Sequence, residues 1–359
     1  MFTCVEVKTK KDKDLFLSLP KKLYDKKFLT QDLELEKKIL NCTHPLSIDF
    51  DIYPFILLNT SGKIVSRCVL TVYPNDNNGY VGFFESVYSE DAVNCLINKV
   101  KAKAKELGLI KLIGPIDCSI WIKYRFKVDY FDEYYTGEPY NKDYYPDLWE
   151  KIGFNKCLGY YSNRLRVPTE EDYNDKIERV TKRLLDKKKY LIISPNSDTL
   201  NVALEDVYGL LSHLYSEFPY YKYITKTQFC MLFEKLGKIF NYDMVKLVYD
   251  ENDELKELIG FLVAVPNYSC LLNNPSIFDI GKIKKIKKNP KDFVLLYLGA
   301  SPKHLGLGGV LAHLCKEYMQ KYECMSINAL VRENNQSGKL YEELTVKKYN
   351  YSMYEMEVK

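Results

Sequence analysis

A glycine-rich turn between a predicted strand and a predicted helix is the stretch of this sequence whose residue types and spacing could do chemistry. The strand is predicted over residues 293–298, the turn over residues 299–309 and the helix over residues 310–322. Amide N–H groups at the start of a helix point at any anion that lies there, and glycines let the anion approach closely. The turn is therefore predicted to bind a diphosphate. A helix-entry turn without a ligand is the alternative, but three glycines within four residues cost conformational entropy that a plain turn need not lose.

Two common classes of phosphate-binding turn are not expected here. No Gly-Lys-Ser or Gly-Lys-Thr ending follows the glycines, so the turn is not predicted to be a P-loop. Only about 50 residues follow the turn, which leaves no room for the doubly wound sheet of a Rossmann domain. Instead, a second strand is predicted over residues 325–331, and it leads to an Asn-x-x-Ser-x-x-Leu-Tyr pattern at residues 334–341.

The order of these segments resembles the GCN5-related N-acetyltransferase (GNAT) family, in which the turn after the fourth strand holds the diphosphate of acetyl-CoA. Residues 298–302 match the family's Leu-x-Val-x-Pro lead-in, and residues 334–341 lie at the family spacing Asn-x-x-Ala-x-x-Leu-Tyr. The family turn, Gln/Arg-x-x-Gly-x-Gly/Ala, fits in two registers. The register over residues 305–310 begins with leucine and ends with valine, whereas the register over residues 303–308 begins with lysine and keeps both glycines.

The resemblance implies how this turn would be used. The backbone at the end of the strand would bond the pantetheine arm of CoA, and the amides of the turn would hold the diphosphate. The cofactor-binding residues that it implies are Leu298, Gly299, Ala300, His304, Leu305, Gly306, Leu307, Gly308, Gly309, Val310, Asn334 and Ser337. The alternatives are that His304 is a surface histidine and that Asn334 caps the helix containing Ser337.

Three further residues are candidates for catalysis or substrate contact. Tyr341 matches the family's general acid, whose phenol gives a proton to the CoA thiolate; its alternative is packing of the last helix against the sheet. Glu85 lies in a predicted strand of the first half, where it is either a buried carboxyl with a raised pKa or part of a structural salt bridge. Tyr140 belongs to one of several tyrosine clusters, which either line a substrate cleft or are half-buried surface aromatics. No general base is assigned.

The first half of the chain repeats the element order of the second half. The fold class predicted is α+β with a mixed sheet, arranged as two tandem GNAT-like domains similar to those of two-domain bacterial members of the family. The first domain, over residues 1–167, is predicted to be degenerate because its junction at residues 85–90 has no glycine turn. A linker helix over residues 168–188 then leads to the CoA-binding domain over residues 189–359, whose last strand is predicted over residues 349–358.

The activity that the resemblance implies is transfer of an acyl group from acetyl-CoA to an amine of a small molecule or peptide. Two alternatives stay open. One is a non-catalytic protein that binds or senses acyl-CoA, and the other is a transferase of the same tandem fold that uses aminoacyl-tRNA. The acceptor, the acyl length and the oligomeric state are not predicted.

Composition argues against several other classes. No apolar run reaches the roughly 18 residues of a membrane span and no secretory signal is visible, so a cytoplasmic protein without a membrane partner is expected. The ten cysteines form no Cys-x-x-Cys pair and there are only four histidines, so reduced buried thiols and no metal site are expected. The net charge of +4 is mild and no wide basic surface is indicated, so a nucleic acid partner is not expected. The lysine-rich residues 282–288 are predicted to form an exposed loop or hairpin arm, with attraction for phosphates as the alternative.

Overall fold

The chain forms two compact units. The computed structural model describes residues 2–172, 175–187, 190–251, 257–273, 275–333 and 342–358. Unit 1 comprises Met1–Tyr134, Pro139–Tyr160 and Tyr349–Lys359, and unit 2 comprises Tyr135–Glu138 and Tyr161–Lys348.

Unit 1 is built on a mixed sheet. Its strands are β1 (Thr3–Glu6), β2 (Asp51–Leu58), β3 (Ile64–Val72), β4 (Asn78–Ser86), β5 (Lys111–Gly114) and β6 (Phe126–Lys127), and its helices are α1 (Lys10–Leu23), α2 (Leu33–Leu40), α3 (Glu90–Glu106) and α4 (Tyr145–Lys151). Strands β1 to β4 pair antiparallel in chain order, and β4 pairs parallel with β5. The strand β7 (Asn155–Leu165) follows α4 along the chain.

Local signals in the sequence set the starts of the helices in unit 1. Thr9 and Asp12 form a reciprocal capping box at α1, while Asp32 and Ser89 accept backbone N–H groups at the starts of α2 and α3. One face of α3 is apolar and buried, because its apolar residues recur at a spacing of three and four. That face packs in the core of unit 1 with Phe126, Trp149 and residues of the first strands.

Unit 2 repeats the combination of antiparallel strands with one parallel pair. Its elements are α5 (Asp175–Lys187), β8 (Tyr190–Ile193), α6 (Leu200–Tyr215), α7 (Lys226–Phe233), β9 (Val245–Asp250), β10 (Leu258–Pro266), α8 (Asp279–Lys288), β11 (Asp292–Ala300), α9 (Leu307–Lys321), β12 (Met325–Arg332) and the start of β13 (Thr345–Glu357). Strands β8 to β11 pair antiparallel in chain order, and β11 pairs parallel with β12. The buried face of α9 supplies much of the core.

The C-terminal strand is the main difference from the predicted domains. Residues 349–358 were expected to close the second domain, but β13 pairs antiparallel with β5 from Tyr354 opposite Gly114 to Glu357 opposite Lys111, within unit 1. Tyr354 and Met356 are buried in the core of unit 1. The alternating pattern predicts a strand but contains no information about which sheet the strand joins. The boundaries after residues 167 and 188 stay predictions.

The lysine-rich residues 282–288 form most of helix α8, so the prediction of a loop is wrong. The N–H and Oγ of Ser276 both donate to Oδ2 of Asp279, at 3.0 and 2.6 Å, which fixes the start of the helix. Ile283 and Ile286 lie three residues apart and are half-buried. This short apolar spacing was the helical signal that the high charge obscured.

Candidate functional site

The parallel pairing of β11 with β12 ends halfway along β11. It pairs with β12 from Asp292 opposite Met325 to Leu295 opposite Asn328, and it pairs with β10 as far as Ala300 opposite Gly260. The register with β10 shifts between Val263 and Ala264, which marks a β-bulge at the point where pairing with β12 stops. One edge of β11 is therefore not paired with β12 over Leu298, Gly299 and Ala300, the residues whose backbone was predicted to bond pantetheine.

The turn after β11 presents backbone amides at the start of α9. Gly306 precedes the helix with φ +89°, a left-handed conformation that favours glycine. Leu307 donates its N–H to the carbonyl of His304, and Val310 donates to the carbonyl of Gly306. Within the described residues, the N–H groups of Leu305, Gly306 and Gly308 have no backbone acceptor. These amides can donate to an anion, because a Cβ added at Gly308 would meet nothing within 4 Å.

The structure distinguishes the two registers of the turn. Val310 is fully buried among the apolar residues of α9, so its side chain faces the core rather than the turn surface. Leu305 is 84% exposed. The register over residues 303–308 therefore fits better, with Gly306 at the positive φ and Gly308 at the open position.

The remaining residues of the turn have structural contacts. The Nε2 atom of His304 lies 3.7 Å from Oδ2 of Asp250, and its Nδ1 is buried without a hydrogen-bond partner among the described residues. Leu307 is fully buried in the core. Gly309 lies against Thr181 of α5, since a Cβ there would be 3.9 Å from its Oγ1.

Three predicted site residues fall outside the described part of the chain. They are Asn334, Ser337 and the predicted general acid Tyr341. Their roles stay predictions based on the family spacing.

In unit 1 the corresponding parallel strands, β4 and β5, also separate. Here, however, backbone of the same unit occupies the gap between them. Pairing between β4 and β5 ends at Tyr80 opposite Ile113, and a register shift with β3 follows. The N–H of Ile116 then donates to the carbonyl of Val81, and a Cβ on Gly82 would lie 1.9 Å from the carbonyl oxygen of Ile116. The edge of β4 that corresponds to the open edge of β11 is thus covered by the segment after β5.

Glu85 lies buried at the end of β4 and is bonded by neutral donors. Its carboxylate accepts the hydroxyls of Tyr24 and Tyr145 at 2.8 and 2.7 Å and the side-chain amide of Gln31 at 2.6 Å. Burial raises the pKa of Glu85, and the positive charge of Arg67 opposes that rise. Arg67 itself forms a two-point buried ion pair with Glu36, at 2.7 and 3.0 Å. Glu85 is therefore the buried carboxyl of the two alternatives, and it forms no ion pair with the described residues.

Tyr140 lines the same small cavity as Glu85. Its ring stacks on Phe28 with centroids 5.0 Å apart, and its hydroxyl donates to the carbonyl of Phe131. The cavity has about 30 Å³ of free volume, room for about two water molecules. Asp117 and Lys123 also line it, and burial raises the pKa of Asp117. Sequence analysis missed both, because they lie in an irregular segment without a periodic pattern.

Unit 2 contains an apolar cavity on the sheet face covered by α6 and α7. Its free volume is about 40 Å³ and it exposes no polar surface. Tyr297, one residue before the open edge of β11, lines it. The other lining residues are Pro195, Leu200, Ala203, Leu204, Val207, Leu211, Phe229, Phe233, Leu236, Phe240, Val245, Leu247, Phe261 and Val263.

The described residues offer no metal site and no membrane-spanning helix. They contain no group of three or more histidine, cysteine or acidic side chains arranged to hold a metal ion. None of their helices combines the length and apolar composition that crossing a bilayer requires.

No family model matches the sequence, and no curated protein matches it. Solved structures do match the fold. A tandem GNAT protein from the clavulanic acid biosynthesis pathway, in a form without acetyl-CoA, is 13% identical, with 100% of this chain and 99% of that chain covered and a TM-score of 0.54. A protein from Enterococcus faecalis described as a "Probable N-Acyltransferase" is 10% identical over 100% of this chain and 73% of its own, with a TM-score of 0.54. A GCN5-related N-acetyltransferase from Anabaena variabilis is 6% identical with the same coverages and a TM-score of 0.51.

These similarities concern structure, because each identity is far below the level at which sequence alone indicates common activity. They agree with the α+β class, the mixed sheet and the tandem arrangement that the sequence predicted. The chain therefore has the fold of the tandem GCN5-related N-acetyltransferases.

Proposed function

We propose that this chain transfers an acyl group from acetyl-CoA, or a related acyl-CoA, to an amine, and that unit 2 binds the CoA. The proposal rests on two structural features that follow each other directly along the chain. The open edge of β11 at residues 298–300 leads directly into the turn whose amides at Leu305, Gly306 and Gly308 have no backbone acceptor.

The residues present fit a CoA molecule in both of its polar parts. A pantetheine arm contains two amides, which the unpaired edge of β11 can bond as a neighbouring strand would. A diphosphate matches the amides at the start of α9, where the helix dipole also favours negative charge. Lys303 is exposed in the same turn and adds a positive charge. The cofactor would supply the activated acyl thioester.

The chain's own residues would position the reactants and move one proton. The backbone of Leu298, Gly299 and Ala300 would fix the thioester relative to an incoming amine, and such alignment lowers the barrier to the reaction. Tyr341 is the proposed proton donor to the departing thiolate, on the basis of the family spacing, and the proton that the attacking amine loses would restore the phenol. The neighbours are consistent with the reaction class: one is a tandem GNAT protein and one is described as a "Probable N-Acyltransferase".

A non-catalytic protein that binds acyl-CoA is the second candidate. It is favoured by Leu305, which is 84% exposed and cannot supply the polar side chain that the family places at the start of the turn in one register. The aminoacyl-tRNA alternative has no such support, since the open edge and the turn would be unused.

Ligand binding followed by turnover tests the proposal. The melting temperature of the full chain would be measured with CoA, acetyl-CoA and acyl-CoAs of increasing length, because a ligand that binds the folded state raises it. The longer chains are included because of the apolar cavity beside Tyr297. Release of the CoA thiol would then be followed with a panel of amines. We expect a higher melting temperature and amine-dependent thiol release. Stabilisation without turnover on any amine would favour the non-catalytic candidate, and no response to any CoA ligand would contradict both.

A further inference from the structure

The start of α8 exposes large apolar side chains to solvent. Ile277 is 84% exposed and Phe278 is 89% exposed, and Ile280 follows at 49%. Two hydrogen bonds from Ser276 to Asp279 span these residues at the start of the helix. Adjacent exposed large apolar residues of this kind mark interaction sites more often than isolated ones do.

The rest of α8 is strongly basic. It carries five lysines, namely Lys282, Lys284, Lys285, Lys287 and Lys288. Lys282 lies 3.4 Å from Asp279, and Lys287 donates to the carbonyl of Lys238. Lys284, Lys285 and Lys288 are exposed and form no ion pair with the described residues. The surface of α8 therefore presents apolar groups at one end and uncompensated positive charge along the other.

An open groove adjoins the basic end of the helix. It has about 450 Å³ of free volume and is lined by Lys284, Lys287 and Lys288 together with Phe240, Asn241, Tyr242, Asp243 and Tyr322. The one acidic group in it, Asp243, lies 3.3 Å from Lys321 and accepts the hydroxyl of Tyr322 at 3.4 Å. The lysines, Asn241 and Tyr242 leave room and hydrogen-bond donors for a phosphate group.

We infer that α8 and the preceding Ile277 and Phe278 dock unit 2 onto the surface of an anionic phospholipid bilayer. Short basic helices with apolar residues on the exposed side lie in the plane of the interface, with the apolar groups among the acyl chains and the lysines near the headgroups. A nucleic acid would satisfy the lysines but would offer no apolar environment for both Ile277 and Phe278. This contact is peripheral, and it differs from the sequence-based expectation that no membrane partner is involved. It is independent of the proposed acyl transfer.

Co-sedimentation with lipid vesicles tests the inference on the full chain. The probes are vesicles of pure phosphatidylcholine and vesicles of phosphatidylcholine with about one quarter phosphatidylglycerol. We expect at least tenfold tighter binding to the anionic vesicles, and weaker binding as salt screens the lysines. Equal or no binding to the two vesicle types would overturn the inference.

Two variants with matched controls locate the contact. The double change Ile277→Ser and Phe278→Ser is compared with Ile48→Ser, which removes an 86% exposed isoleucine from unit 1. The double change Lys284→Glu and Lys288→Glu is compared with Lys99→Glu and Lys105→Glu, which alter the same net charge on exposed lysines of α3. We expect both α8 variants to lose at least tenfold in affinity for the anionic vesicles, with unchanged melting temperature, and both controls to bind as the unaltered protein does.

Two results would contradict the account. Equal vesicle binding by the α8 variants and their controls would place any lipid contact elsewhere on the chain. Concentration-dependent self-association that the Ile277→Ser, Phe278→Ser variant loses, without vesicle binding by the unaltered protein, would show that a second copy of the chain covers this surface.

Discussion

Gly306 is the residue on which the geometry of the candidate cofactor turn depends. Its φ of +89° is accessible to glycine at little cost, and a Cβ there would lie 2.6 Å from Cδ1 of Leu184 in α5. The turn can therefore bring its amides to the start of α9 only with glycine at this position. Gly308 has a different role, because its position is open and its absent side chain leaves the amides accessible.

The proposed role of Tyr341 can be tested by removing a single hydroxyl group. Tyr341→Phe removes the phenol proton but keeps the aromatic ring, so CoA affinity should be retained while turnover falls at least tenfold. The measurement is steady-state thiol release together with CoA binding by calorimetry. Unchanged turnover would remove Tyr341 from the mechanism, and a matching loss of CoA affinity would assign it to binding.

The two registers of the turn show what residue patterns could and could not decide. Spacing alone left Leu305 to Val310 and Lys303 to Gly308 as alternatives, since both place a glycine near the helix start. The position at which α9 begins favours the second. Helix phase within a glycine-rich stretch depends on which apolar residues find the core, and Leu307 and Val310 both do.

At the scale of elements, the two β-bulged strands β4 and β11 share a geometry and differ in what covers their edges. The segment after β5 covers the edge of β4 through Ile116 and Asp117, whereas residues 298–300 of β11 are not paired with β12. Sequence analysis identified the absence of a glycine turn in the first half, and it located β11, α9 and β12 to within three residues. It could not predict the covering segment, because hydrogen bonds from an irregular loop leave no periodic signal.

The raised pKa of Glu85 on β4 predicts how the free energy of unfolding depends on pH. Its folded-state pKa is raised above the ordinary value of 4.5, so the folded state holds the proton more tightly than the unfolded state does. The free energy of unfolding therefore falls as pH rises from about 4.5 through the raised value, by at most about 1.4 kcal/mol per pH unit. Glu85→Gln should remove this loss, and the introduced amide can donate to Oε1 of Gln31, which has no partner among the described residues.

Urea unfolding between pH 5 and pH 8 measures this effect. Both tryptophans, Trp121 and Trp149, belong to unit 1, so their fluorescence reports the unit that contains Glu85. The stability of Glu85→Gln should decline less with rising pH than that of the unaltered protein. Glu34→Gln, which removes an exposed carboxylate from the same unit, serves as the control. If the free energy of unfolding changed equally with pH in the unaltered protein and in Glu85→Gln, the pKa of Glu85 would not differ between the folded and unfolded states.

At the scale of the whole molecule, the C-terminal strand ties the end of the chain to unit 1. Tyr354 is 1% exposed and packs near Phe126 and Trp149 in the core of unit 1. Order along the chain predicted the opposite assignment, because consecutive elements usually fold together. The partner strands β5 and β6, which both lie in unit 1, identify the unit to which the end of β13 belongs.

Tyr354→Ala tests that assignment. Truncating a buried aromatic residue costs about 3–5 kcal/mol, so the urea transition reported by tryptophan fluorescence should shift to lower concentration. Val346→Ala, on the same strand at a 56% exposed position, should change stability by less than about 0.5 kcal/mol. A tryptophan transition that Tyr354→Ala leaves in place would show that β13 does not belong to unit 1 in solution.

The central claim is that CoA binds at the turn before α9, and a charge placed at Gly308 tests it most directly. Gly308→Glu puts a carboxylate among the amides proposed to hold the diphosphate, while Gly209→Glu introduces the same side chain in α6; an added Cβ meets nothing within 4 Å at either glycine. Calorimetric titration with CoA should show a loss in affinity of at least tenfold for Gly308→Glu and unaltered affinity for Gly209→Glu, with both proteins folded. Equal CoA affinity in the two variants would contradict the account.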